Sequence, residues 1–311
     1  MNIIMSALSQ GLCYALVAMG VYISYKVLDF PDLSVDGTFP LGAAVSVMLI
    51  KGGVHPLPAL LAAAAAGGLA GALTGILHVK FKITNLLSGI LVMTALLSVT
   101  LNLGRIDGRI NVIISYSSRE DLTLFTGAVS RFLTQALSPL LGGAARGAGT
   151  VAILLALVAA VKLLLDLFMA TKAGFMLRAT GQSAQLVMSM GKNPGAYKVC
   201  GLMLANAIVA FAGGVYSQQM GYYDNASGTG MVVIGLASVI IGWTLFSRTR
   251  LLKKTTGVII GAVIYSACLS AAVNAGIPTS YLKLLMAVLF TAVLVASGVV
   301  ERGKTAARGK I

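Results

Sequence analysis

The chain has 311 residues, of which 58% are hydrophobic and only 10% charged. Water-soluble domains carry about 25% charged residues, so repeated apolar stretches of near-span length here mean a polytopic membrane protein, not two globular cores. One Trp, three scattered Cys (13, 200 and 268) and two His (55 and 78) exclude a disulfide framework, a zinc cluster and a haem-attachment site, and the formal charge of +14 is read first as a signal of membrane orientation.

Apolar runs predict about nine membrane helices in an all-α bundle, with the whole chain, 1–311, as one transmembrane domain. The first is Ile3–Tyr25, which has no basic leader and no small-residue cleavage site and reads as a retained helix. The second, Phe39–Ile50, is short for a spanning helix and reads as broken or re-entrant. Leu57–Val79, Ile83–Leu103, Ala148–Leu165, Val199–Tyr216, Met231–Phe246, Thr255–Val273 and Leu284–Val300 complete the set. The longest gap, 104–147, has room for a surface amphipathic helix around Leu122–Leu141. Gly67, Gly71 and Gly75, and again Gly257 and Gly261, recur at four-residue intervals, the spacing that lets helix backbones approach closely in lipid.

Orientation follows from alternate loops. Fifteen Lys and Arg fall on one side, among them Lys26, Lys80, Lys82, Lys172, Arg178, Lys192, Lys198, Lys253, Lys254 and the basic tail 301–311, against six on the other, five of them in 104–147. The rule that cytoplasmic loops carry the cations puts the C-terminus in and, with nine spans, the N-terminus out. The charge is then an inner-face charge, and nucleic acid is not a partner.

Several segments carry polar chemistry. Residues 29–40 place Asp29, Asp32, Asp36, Pro31, Pro40, Ser34 and Thr38 between two apolar runs. Either the broken backbone meets a polar solute in a cavity, or Asp and Ser cap the next helix in a solvated turn. A second such place is 218–230, and Val35-Asp36-Gly37-Thr38 resembles Ser227-Gly228-Thr229; on opposite sides of the membrane these would suit an inverted repeat. Lys162 and Asp166, four residues apart in one span, read as a snorkelling ion pair, while Asn102 and Asn206 either bond between helices or face a solute. Gly298, Gly303, Lys304 and Thr305 satisfy a phosphate-loop pattern, but only six residues follow and a membrane helix precedes, so nucleotide binding by this chain is rejected. The loop 172–198 mixes polar residues with Leu, Val and Met at helical spacing and suits a short amphipathic helix presented to a partner, or one lying on the surface alone.

Three places resemble the permease subunits of ATP-binding-cassette importers of the branched-chain amino-acid and ribose type. Tyr14–Gly20 with Gly42 looks like the family's first and broken second helices. Arg178, Ala179 and Gly181, with Gly191, Lys192, Asn193 and Pro194, look like its coupling segment. Ala212–Val215, Gly235–Ala237 and Gly242 look like its downstream span and Gly-rich helix. Where amino-acid permeases of the family read Asn-Phe-Ala-His-Gly-Glu, this chain has Leu33-Ser34-Val35-Asp36-Gly37-Thr38, and Asp32–Thr38 is similar to a subgroup associated with tryptophan or tyrosine uptake.

The resemblance implies a non-enzymatic transport subunit in a bacterial inner membrane, moving a small polar solute, in the leading reading an aromatic amino acid. ATP and Mg²⁺ would be handled on separate ATPase subunits beneath 172–198, with no cofactor in this chain. An extracytoplasmic binding protein would dock on 104–147, and a second permease chain would complete the path. That path would be lined by Asp32, Ser34, Asp36, Thr38, Phe39 and Asn102, with Ser227 and Thr229 opposite. An ion-coupled secondary transporter is the alternative, and a channel is disfavoured because no filter-like stretch is evident.

Overall fold

The computed structural model describes residues 2–106, 109–110, 112–116, 123–127, 131, 134–135, 145–246, 253–278, 281 and 284–295. The helices are α1 (Asn2–Val21), α2 (Val35–Lys51), α3 (Pro56–Val79), α4 (Asn85–Leu103), α5 (Ala145–Ala170), α6 (Lys172–Gln182), α7 (Ala184–Ser189), α8 (Pro194–Met220), α9 (Met231–Phe246), α10 (Lys254–Asn274) and α11 (Leu284–Val295). Short strands β1 (Arg105–Ile106) and β2 (Arg109–Ile110) pair with each other, and β3 (Ile113–Ser115) pairs antiparallel with β4 (Tyr222–Asp224).

Helix α1 is apolar on every side, and Leu12–Met19 are all buried. A helix without a polar face has to be enclosed, and α5, α8, α9 and α10 pack around it. It ends in a π-helical turn, Tyr22–Val27, in which Leu28 N donates to Ile23 O at 3.0 Å. Asp29 then takes φ 54°, a left-handed conformation that Asp tolerates better than most residues, and the chain turns back along the bundle.

The contacts fix the direction of each helix. Cys13 meets Gln219 and Leu28 meets Gly201, so α1 and α8 are antiparallel. Thr38 meets Asn206 and Ser46 meets Gln218, so α2 runs parallel to α8. Positions 67, 71 and 75 of α3 lie against Asn206, Leu202 and Val199, which makes α3 antiparallel to α8. On the other side Gly235 and Trp243 of α9 lie against Val21 and Lys26, parallel to α1. Gly261 of α10 seats on Ser238 O, antiparallel to α9. The relations of α8 to α2 and α3 are thus the relations of α1 to α9 and α10. One end of the bundle carries α6, α7 and the bases Lys26, Lys80, Lys82, Lys172, Arg178, Lys192, Lys198, Lys253 and Lys254; the other carries the strands.

Two of the nine expected spans fall short among the described residues. Seven helical stretches are long and apolar enough to cross a membrane, namely Ile4–Val27, Pro56–Val79, Asn85–Leu103, Gly147–Ala170, Pro194–Met220, Asn225–Phe246 and Lys254–Asn274. The 17 residues of α2 rise only about 25 Å, less than the roughly 30 Å of hydrocarbon, and α11 is described as 12 residues. Some boundaries also move: α8 begins at Pro194 rather than Val199, because Asn193 Oδ1 accepts from Gly195 N at 2.9 Å and proline occupies the first turn. It ends at Gly221, whose φ of 78° stops it. The expected helix at Leu122–Leu141 lies mostly outside the described residues, although Thr123–Gly127 form a turn. The tail 301–311 and the phosphate-loop match at 298–305 also lie outside them.

The four-residue glycine spacing does what lipid packing requires. A Cβ at Gly42 would overlap Ala210 O, and one at Gly71 would overlap Leu202 O, so α2 and α3 sit backbone-to-backbone on α8. At Gly68, by contrast, a Cβ would meet its neighbours at an ordinary 3.7 Å. Gly42→Val should therefore separate α2 from α8 and cost about 3 kcal/mol or more, whereas Gly68→Ala should be neutral or stabilising by up to about 1 kcal/mol. Thermal unfolding of the two variants in detergent, followed by size exclusion, checks both.

Candidate functional site

The connection 28–34 returns from the α6 end of the bundle to about the middle of α8, where α2 begins. Asp32 is placed there by the turn after α1, and its Oδ1 accepts from Ser34 N at 2.8 Å, capping the start of α2. Its Oδ2 accepts from Asn206 Nδ2 at 2.8 Å, and that amide also donates to Leu202 O at 3.2 Å. Asn206 Oδ1 in turn accepts from Thr38 Oγ1 at 2.8 Å and from Ser34 Oγ at 3.3 Å. Asp32 is 4% exposed, and Ser34, Thr38 and Asn206 are fully buried. Each polar atom of this knot has a partner, which is the condition for burying it in a low-dielectric interior.

Asp36 does a related thing for a distant element. Its Oδ2 accepts from Gly230 N at 3.0 Å and its Oδ1 from Val232 N at 2.8 Å, which are free donors at the start of α9. Gly228, just before, packs so closely on Asp36 O and the Pro40 ring that a Cβ would have no room. The starts of α2 and α9 therefore meet side by side inside the bundle. Their positive dipole ends face two carboxylates of the same chain.

Both acids accept from backbone N–H groups where helices start, inside the bundle and not in a solvated turn, and Asp36 serves α9, nearly 200 positions along the chain, and not α2. The second polar segment forms β4, a 3₁₀ turn at Asn225–Gly228 and then α9. Tyr116 N donates to Gly221 O at 3.0 Å, Asn225 N donates to Val112 O at 3.0 Å, and Thr100 Oγ1 donates to Asn225 Oδ1 at 2.9 Å, which ties the segment to β3 and α4.

Of the residues expected along a path, Asp32, Ser34, Asp36 and Thr38 come together, and Phe39 is buried with its ring 5.5 Å from that of Tyr216. Ser227 sits on the 3₁₀ turn, its hydroxyl buried without a hydrogen-bond partner. Thr229 is exposed. Asn102 stands apart, exposed on α4, donating to Ser98 O at 2.9 Å. Asn206 is the residue at the centre, and its signal in the sequence was an amide inside an otherwise apolar span. Sequence gave Asn102 the same status, and only the fold separates them.

At the basic end, Lys162 and Asp166 pair at 3.1 Å as the spacing predicts, and Lys253 joins at 3.3 Å while Thr255 Oγ1 donates to the same carboxylate at 2.8 Å. Nearby, Lys26 and Lys254 stand 4.4 and 4.9 Å from the Trp243 ring. The loop 172–198 becomes α6, α7 and the first turn of α8. Arg178 is exposed, but its Nη2 donates to Met169 O at 2.9 Å and so satisfies the C-terminus of α5. Ala179 is buried, Gly181 seats on Val27 O with no space for a side chain, and Asn193 and Pro194 start α8. Gly191 (φ 69°) and Lys192 turn outward beside exposed Phe175, Leu186, Met188 and Met190.

These contacts rank by what removal leaves behind. Thr38→Val takes one donor from Asn206 Oδ1, which keeps Ser34, and should cost about 1 kcal/mol. Asn206→Leu strips Asp32 Oδ2 of its side-chain donor in a buried setting and should cost about 3–5 kcal/mol. Asp36→Ala, which uncaps α9, should fall between, at about 1–2 kcal/mol. Chemical or thermal denaturation of the purified chain in one detergent gives the order.

Sequence comparison adds identity to this geometry. Residues 3–294 match the family described as "Branched-chain amino acid transport system / permease component". The chain is 39% identical over 294 residues to the tyrosine transport system permease protein of Clostridioides difficile (strain R20291), covering 94% of this chain and 91% of that one. It is 30% identical over 293 residues to an uncharacterized protein of Rickettsia prowazekii (strain Madrid E), covering 93% and 95%. No solved structure matches. A chain of apolar helices that matches along nearly its whole length belongs to the permease-component family of branched-chain amino acid transport systems.

Proposed function

We propose that this chain is the membrane-spanning subunit of an ATP-binding-cassette importer for an aromatic amino acid, working as a pair of permease chains in a bacterial inner membrane. The observation that carries the reading is the meeting of α2 and α9, two helices that start inside the bundle from opposite ends, in a member of a transport family. Discontinuous helices of this kind place backbone and polar side chains next to a solute at mid-depth. The relative named for tyrosine supports the substrate class. The exchange of α1–α3 with α8–α10 is the arrangement of an inverted repeat, and the path lies at its centre, along Ser34, Thr38, Phe39 and Ser227.

The basic end is the cytoplasmic one, by the excess of Lys and Arg there. Separate ATPase subunits bind and hydrolyse ATP and dock on α6 and α7 through Phe175, Leu186, Met188, Met190 and Lys192. An extracytoplasmic binding protein delivers cargo to the strand end. Motion of α6 reaches the path through direct contacts: Gly181 bears on the carbonyl of Val27, Leu177 and Leu28 both bear on Gly201, and the next residues carry Asp32 and Asp36. A rigid push at α6 therefore reaches both helix starts.

Three measurements test this. Phe175→Glu with Lys192→Glu, both exposed side chains, should reduce co-purification of the ATPase at least tenfold while leaving the permease folded. Uptake that continues in cells lacking every candidate ATPase would defeat the importer reading in favour of an ion-coupled carrier. Gly181→Val should leave the ATPase bound and hydrolysing while uptake of labelled tyrosine falls several-fold. Equal loss of hydrolysis and uptake would remove Gly181 from the transmission.

A further inference from the structure

Three membrane-crossing stretches end together on the basic side of the bundle. Lys26 lies in the last turn of Ile4–Val27, Trp243 lies one turn from the end of Asn225–Phe246, and Lys254 opens Lys254–Asn274. Both ammonium groups stand against the same indole, Lys26 Nζ 4.4 Å and Lys254 Nζ 4.9 Å from the ring centroid. A fourth stretch, Gly147–Ala170, brings Lys162 and Asp166 to this end, and Lys253 reaches that carboxylate from the start of α10.

Charge is unbalanced here. Asp166 is the one carboxylate of the group, and its oxygens are taken: Oδ2 accepts from Lys162 at 3.1 Å and pairs with Lys253 at 3.3 Å, while Oδ1 accepts from Thr255 Oγ1 at 2.8 Å. Among the described residues neither Lys26 nor Lys254 has a carboxylate partner. Two like charges gathered on one ring repel each other, and a ring face engages only part of what an ammonium with three donors offers. An anion placed between them would relieve both conditions.

Position says which anion. Lys80, Lys82 and Lys192 are exposed on connections between helices, whereas this cluster sits at the ends of spans. A tryptophan at a span end belongs at the level of the lipid head groups, and lysines there reach the phosphates while their stems stay on apolar surface. Leu163, Leu164 and Leu167 of α5 and Leu245 of α9, all near these residues in the chain, are each more than half exposed. A phosphate that arrives with acyl chains therefore matches the leucines as well as the lysines.

We infer that Lys26, Lys254 and Trp243, with Lys253 beside them, bind the head group of an anionic phospholipid, its phosphate between the two ammonium groups and its acyl chains against the exposed leucines. The bound lipid ties the end of α1 to the junction of α9 and α10. The site is separate from the path at Ser34 and Thr38, and it is independent of what the chain transports.

Trp243 is the single tryptophan of the chain, so its fluorescence reports this site alone. The full-length chain is reconstituted in phosphatidylcholine bilayers that hold a small, fixed fraction of either phosphatidylglycerol or phosphatidylcholine brominated near the head of the acyl chain. Bromine quenches only at short range, and the ratio of the two quenchings measures preference for the anionic lipid. The wild type should prefer phosphatidylglycerol about fivefold, and Lys26→Gln with Lys254→Gln should bring the ratio to about one. Lys26→Arg with Lys254→Arg, which keeps both charges, should retain the preference. Quenching by brominated phosphatidylcholine, which needs only a folded and inserted chain, should be the same in every variant. Lys80→Gln with Lys82→Gln removes equal charge from the same end and should leave the ratio as it is. Equal quenching by both lipids in the wild type, or a preference that survives loss of Lys26 and Lys254, overturns the inference. An equal fall in the Lys80 and Lys82 variant also overturns it, because the preference would then belong to the whole basic face. Inorganic phosphate is added against potassium chloride of matched ionic strength: relief of quenching by phosphate alone would make this a site for the free ion and overturn the lipid assignment.

Discussion

A helix that begins inside a membrane bundle exposes several backbone N–H groups where lipid offers no acceptor, and everything else in this fold is arranged around meeting that demand. Two such starts occur, at α2 and at α9. Asp32 serves the first through Ser34 N, and Asp36 serves the second through Gly230 N and Val232 N. The same bonds solve the opposite difficulty, because a buried carboxylate needs donors and a positive field, and a helix start supplies both. Neither carboxylate needs a cation from a distant helix.

The arrangement explains the glycines better than packing alone does. For Asp36 to reach the start of α9, the turn at Gly228 must lie on the backbone of α2. For Asn206 to reach Asp32, α2 must lie on the backbone of α8. Both approaches are closer than any side chain permits, at Gly228 and Gly42 respectively. Small residues and polar residues are thus parts of one device: the small ones set the distance and the polar ones use it. Because α2 and α9 each hang from a few such contacts, a shift in the connection 28–34 would bear on both helix starts.

Much of this was readable beforehand, and the failures have physical causes. The short second helix, the polar segments 29–40 and 218–230, the Lys162–Asp166 pair and the four-residue glycine rows all carry local signals, in length, composition or spacing, and they stand in the structure as local features do. Pairing across the chain carries none. Nothing near Asp36 indicates Gly230, and two asparagines in two spans look alike until one proves buried on Asp32 and the other exposed on α4. Tyr265 was invisible for another reason: an aromatic residue in an apolar span scores as core, and only a hydroxyl left over after the hydrogen bonds are assigned marks it out. Arg178 reads as a docking charge in sequence, while in the fold its guanidinium already serves the end of α5.

Satisfied and unsatisfied polar groups then divide the interior by role. The Asp32–Asn206–Thr38 knot has a partner for each charge and amide, and it holds the start of α2 to the middle of α8. Among the described residues, Ser227 Oγ and Tyr265 Oη have no such bond to break. A transported molecule gains most, and disturbs least, where the protein has left hydrogen-bonding capacity unused, since a vacant donor or acceptor costs the empty state and not the loaded one.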